Sequence, residues 1–144
     1  MAEQPAARTS VALDAKGCRF VVVEDDALLC DLLARTLRRE FEPAALHAFR
    51  TGREALQHCL REPVDLLLTD LGLADLNGRE VIRQTRARER TTRVIVLTGK
   101  IDAALPAELV ALGVAGFVDK AAPLEHAVRA VQRVLAGGMY FLRM

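Results

Sequence analysis

The sequence predicts a doubly wound α/β fold built on one parallel sheet of five strands. The prediction rests on three observations. Along most of the 144 residues, short apolar runs alternate five times with stretches of helical periodicity. The runs Phe20–Val23, Leu66–Thr69 and Val94–Leu97 are almost unbroken in their apolar character, as strands covered on both faces are. The composition, 51% hydrophobic and 27% charged, suits one domain with a full core and a charged surface. Right-handed crossovers between parallel strands then place helices on both faces of the sheet.

Each element follows in chain order. Residues 1–16 read as a disordered leader, without the long apolar segment of a signal peptide. Phe20–Val23 is the first strand, and Ala27–Arg39 carries Leu28, Leu29, Leu32, Leu33 and Leu37 at helical spacing. Ala44–Phe49 is a weaker strand after Pro43, and Gly52–Leu60 a helix stopped by Pro63. Leu66–Thr69 is the third strand, and Asn77-Gly78 turns the chain into the helix Arg79–Arg88. Val94–Leu97 is the fourth strand, followed by a short helix Pro106–Leu112 with Gly113 beyond its end. Ala115–Val118 is the fifth strand and Pro123–Leu135 the last helix. Residues 17–136 form the domain and 137–144 a tail. The expected strand order is 2-1-3-4-5, the flavodoxin-like arrangement.

Several function classes are excluded or disfavoured. The net charge of +1 argues against direct, non-specific nucleic-acid binding. Arg83, Arg86, Arg88, Arg90 and Arg93, interrupted by Glu80 and Glu89, read as a solvated helix face and loop. Cys18, Cys30 and Cys59 form no C-x-x-C pair and read as reduced, buried thiols of a cytoplasmic protein. No apolar run approaches the ~18 residues of a membrane span. His47, His58 and His126 show no ligand spacing, and no phosphate-cradling G-x-x-x-x-G-K-[ST] is present.

In doubly wound sheets, ligands bind beyond the carboxyl ends of the strands. Glu24, Asp25 and Asp26 follow the first strand there, and Asp70 the third. Thr98, Gly99 and Lys100 follow the fourth, Asp119 and Lys120 the fifth. Asp26 suits the N-cap of the following helix. The predicted order brings Glu24, Asp25, Asp70, Thr98 and Lys120 into one pocket. Grouped carboxylates repel unless protonated or bridged by a cation, and an open all-oxygen site suits Mg2+. An acidic pocket holding a divalent cation and a lysine can accept a phosphoryl group on a carboxylate.

The stretches "VVVEDDALL", "LLLTDLGLADLNG", "VIVLTGK" and "GVAGFVDK" resemble, in this order, the receiver domain of bacterial two-component response regulators. The likeness runs from about Cys18 to Tyr140. It implies that Asp70 is the phosphoacceptor, charged by a sensor histidine kinase. It implies that Asp25 binds Mg2+ directly, Glu24 mainly through water and Gly72 through its backbone carbonyl. Thr98 and Lys120 would hold the phosphoryl oxygens, and Phe117 stands at the aromatic switch position. Phosphorylation would remodel the surface formed by the helix from Pro106, the fifth strand and the last helix, with a phosphorylation-dependent homodimer as one outcome. The ending "PLEHAVRAVQRVLAGGMYF" is similar to NarL/FixJ-type regulators, in which a helix-turn-helix DNA-binding domain follows; no such domain lies within these 144 residues.

The sequence departs from the family pattern at four places. Ala74 stands where proline is usual, Asn77 where aspartate is common, and Phe117 where tyrosine is frequent. Ala121 replaces a proline often preceded by a cis peptide bond. The first of these predicts a more flexible loop after Asp70. Two other classes compete: a non-phosphorylated interaction module of the same fold, and an aspartyl phosphatase. The intact set of Glu24, Asp25, Asp70, Thr98 and Lys120 argues against the first, and the absence of D-x-D at Asp70-Leu71-Gly72 against the second.

Overall fold

The structure, a computed structural model, describes residues 11–141. Its strands are β1 (Arg19–Val23), β2 (Ala45–Phe49), β3 (Leu66–Asp70), β4 (Arg93–Thr98), β5 (Gly116–Asp119) and β6 (Tyr140–Phe141). Its helices are α1 (Ala27–Phe41), α2 (Gly52–Arg61), α3 (Gly78–Arg88), α4 (Leu105–Ala111) and α5 (Glu125–Leu135). All strand pairs are parallel, in the order β2-β1-β3-β4-β5-β6.

Strand pleating divides the core into two layers. Phe20, Val22, Leu66, Leu68, Ile95 and Leu97 face α1 and α5, against Leu33, Leu37, Ala130 and Val134. Val21, Val23, Leu67, Val94 and Val96 face α2, α3 and α4, against Ala55, Val81, Ile82 and Leu109. Thr69, a polar residue inside an apolar strand, donates its hydroxyl to the Asp70 carbonyl at 2.9 Å. The expected caps are present: Asp26 accepts from Leu29 N at 3.1 Å, and Gly113 closes α4 at φ +80°.

Three expectations need correction. The sheet has six strands, not five. Residues 137–144 read as a tail, but Tyr140–Phe141 pair with β5, in register Gly116↔Tyr140 and Phe117↔Phe141. An end strand leaves unpaired N–H and C=O groups that a returning chain can satisfy. Gly116 makes room for it, since a Cβ there would lie 2.6 Å from the Tyr140 carbonyl oxygen. Second, residues 11–16, counted with the leader, join the domain. Leu13 N donates to Leu135 O at 2.7 Å, and Asp14 caps a 3-10 turn at Ala15–Gly17. Residues 1–10 and 142–144 lie outside the described residues. Third, Arg93 is not solvated. It is 9% exposed, and its guanidinium donates to the carbonyls of Val134 (2.9 Å), Leu135 (3.3 Å) and Val11, which ties the amino-terminal segment to the end of α5.

Candidate functional site

The parallel sheet sends the chain out of β1, β3, β4 and β5 at the same edge. There the structure brings together the residues predicted from sequence. Glu24 is fully buried, Asp70 is 5% and Thr98 4% exposed, and Asp25 and Lys120 are half-buried. Lys120 Nζ donates to Asp70 Oδ2 at 2.9 Å and to Glu24 Oε2 at 3.1 Å. Asp70 Oδ1 accepts from Gly72 N at 3.0 Å, and Glu24 Oε2 accepts from Asp26 N at 2.9 Å. The Lys120–Ala121 bond is trans, and Lys120 reaches both carboxylates in that geometry.

The carboxylates outnumber their counter-ions. Glu24, Asp25 and Asp70 each present an oxygen within 4.8 Å of the others. Glu24 Oε1 is ion-paired with the same Lys120 Nζ at 3.0 Å and has no other polar partner among the described residues. Burial above all pushes the Glu24 carboxyl upward, with the Asp70 charge adding to it; the Asp26 N–H and Lys120 hold it back. Burial works against the Lys120 charge, but the hydrogen bonds and charges of Asp70 and Glu24 outweigh it and raise its pKa. A hard divalent cation among these oxygens would add the positive charge that a single lysine does not supply and relieve the repulsion.

Thr98 and Phe117 are placed differently. The Thr98 hydroxyl exchanges hydrogen bonds with the Lys100 backbone, at 3.2 Å to both O and N. Phe117, 4% exposed, lies in the α2–α4 layer with its ring centroid 5.5 Å from that of Phe141. The histidines stay away from the site. His47 packs against His58 with the rings tilted by 40° and centroids 4.4 Å apart, and His126 pairs with the Tyr140 hydroxyl at 3.1 Å.

Residues 20–132 match the family model described as the response regulator receiver domain. The chain belongs to that family. The receiver is 29% identical over 89 residues to the response regulator UvrY of Escherichia coli, covering 62% of this chain and 41% of UvrY. It is 27% identical over 121 residues to the transcriptional regulatory protein LnrK of Bacillus subtilis, 84% of this chain and 55% of LnrK. The chain thus spans about half the length of the curated relatives it matches. In fold, the receiver is similar to the isolated REC domain of RcsB from Salmonella enterica, with TM-score 0.78, 16% identity, and 88% and 94% of the two chains covered. It is also similar to the non-phosphorylated HemR receiver domain of Leptospira biflexa, with TM-score 0.75, 26% identity, and 83% and 94% covered.

Sequence reasoning missed one participant in this receiver's loop. Asp75, assigned no role from sequence, accepts from Gly52 N at 2.8 Å and Arg53 N at 3.0 Å. Its partners lie 22 and 23 residues away, beyond any local pattern.

Proposed function

We propose that this receiver accepts a phosphoryl group on Asp70 from the phosphohistidine of a sensor kinase. The carrying observation is the position of Asp70, at a buried strand end beside Lys120 and the carboxylates of Glu24 and Asp25. An Asp70 carboxylate oxygen attacks phosphorus; the O–P bond forms as the N–P bond breaks, and the departing imidazole takes up a proton. Glu24, Asp25, Asp70 and the Gly72 carbonyl are the groups that would hold Mg2+. When bound, the ion neutralises charge gathering on the transferred group. Lys120 stays close enough to hold a phosphoryl oxygen. Thr98, freed from the Lys100 backbone, turns its hydroxyl to another, and Phe117 follows into the space vacated. Gly72 leaves the acyl phosphate without a shielding side chain, and Lys100 flanks the path of a hydrolytic water.

The test is labelling with acetyl phosphate and Mg2+. The unaltered protein should gain a hydroxylamine-sensitive phosphoryl group, and Asp70→Asn should gain none. Full, stable labelling of Asp70→Asn would sink the assignment.

A further inference from the structure

The loop from Asp70 to α3 carries Gly72, and its proline position is Ala74, so backbone stiffness must come from elsewhere. Asp75 supplies a different restraint. Both of its carboxylate oxygens accept the first two N–H groups of α2, Oδ1 from Gly52 and Oδ2 from Arg53. Those donors have no partner within their own helix. The third, Glu54 N, is taken by Thr51 Oγ1 at 3.2 Å. The two anchors are close-packed as well as hydrogen-bonded. A Cβ on Gly52 would lie 3.0 Å from Leu76 Cβ and 3.2 Å from Leu73 Cδ1. Gly78 N closes the loop on Leu71 O at 3.1 Å.

We propose that Asp75 is a positioning residue, a carboxylate clamp that locks the Gly72-bearing loop onto the amino terminus of α2 and so presets the Gly72 carbonyl for a divalent cation. This rests on the reading of the site above. The clamp performs with two charge-assisted hydrogen bonds what a ring constraint at residue 74 would do through the backbone. It touches no reacting atom.

The test uses the 15N-labelled protein and four variants, Asp75→Ala, Asp75→Asn, Asp75→Ala combined with Ala74→Pro, and Thr51→Ala, with Mg2+ added alone and followed by amide shifts. Asp75→Ala should weaken Mg2+ binding by about 10-fold, the scale on which groups that orient metal ligands act. Faster exchange of the Gly72 and Leu73 amides should accompany it. Asp75→Asn, which keeps one carbonyl acceptor, should fall between. Adding Ala74→Pro to Asp75→Ala should recover affinity. Thr51→Ala removes a cap from the same helix without touching the loop, so it should lower thermal stability and leave Mg2+ affinity unchanged. Equal Mg2+ affinity in Asp75→Ala and the unaltered protein would overturn the clamp, as would an equal loss in Thr51→Ala. If the unaltered protein bound no Mg2+, the reading of the site would fail instead. The clamp would then stand or fall on whether Gly72 exchange quickens in Asp75→Ala.

Discussion

Among the described residues, Lys120 is the one cation hydrogen-bonded to carboxylates of the site, reaching acids from two strands. Removing it should leave three clustered acids without a counter-charge. Lys120→Ala is expected to lower stability to urea by about 2 kcal/mol, with much of that loss restored by millimolar Mg2+. Asp75 gives a pH signature of its own. The N–H groups of Arg53 and Gly52 hold its carboxyl below the ordinary value of 3.8. A depressed carboxyl stabilises the fold fully above that ordinary value, and its contribution is lost as pH falls through the lowered one. The Gly52 and Arg53 amide resonances should therefore titrate with a midpoint below 3.8, and a midpoint at or above it would contradict the bonding seen here. Asp70, Glu24 and Lys120 were legible in sequence because each stands within two residues of the end of an apolar run, and those ends must lie at one sheet edge. Asp75 was not, because its partners belong to a helix that only the folded chain brings near. Arg93 was misread for the same reason: its carbonyl acceptors come from both ends of the described chain.

The five βα units follow from periodicity, and their boundaries hold to within two residues or so. The sixth strand does not, since two residues carry no period. Its place depends on a close approach, and Gly116 is where that approach can be tested. Gly116→Ala should displace Tyr140–Phe141, because the added methyl would overlap the Tyr140 carbonyl. Hydrogen exchange should then quicken at Tyr140 while the β1, β3 and β4 amides keep their protection. The short α4, part of the surface expected to be remodelled, is held at its amino end by Asp102, which accepts from Ala104 N and Leu105 N at 3.0 and 2.9 Å. Arg79 of α3 adds a forked pair to Glu108, with Nη2 to Oε1 at 2.9 Å. Arg79→Ala should loosen α4 without unfolding the domain, seen as faster exchange confined to Leu105–Ala111.

Across the whole molecule, the two core layers leave the thiols inaccessible. Cys18, Cys30 and Cys59 are 3%, 5% and 1% exposed, and burial pushes the Cys59 thiol up to about 11. Alkylation by iodoacetamide should proceed only as fast as the domain opens, and rapid native labelling would contradict this packing. Among the described residues no helix is long and apolar enough to cross a membrane. The alternation of layers was readable because a parallel sheet buried on both faces needs unbroken apolar strands. The attachment of residues 11–16 was not, because its hydrogen bonds use backbone groups that any sequence carries. The sixth strand also bears on how copies of this protein behave when crowded. An open sheet has two margins, and each is a template on which another chain can stack. Here one margin is occupied by Tyr140–Phe141, and on the other strand, β2, the Arg38 guanidinium already holds the Leu46 carbonyl at 3.1 Å. A loss of β6 would thus uncover an adhesive border beside Phe117, and Gly116→Ala protein should aggregate faster on storage than the unaltered protein.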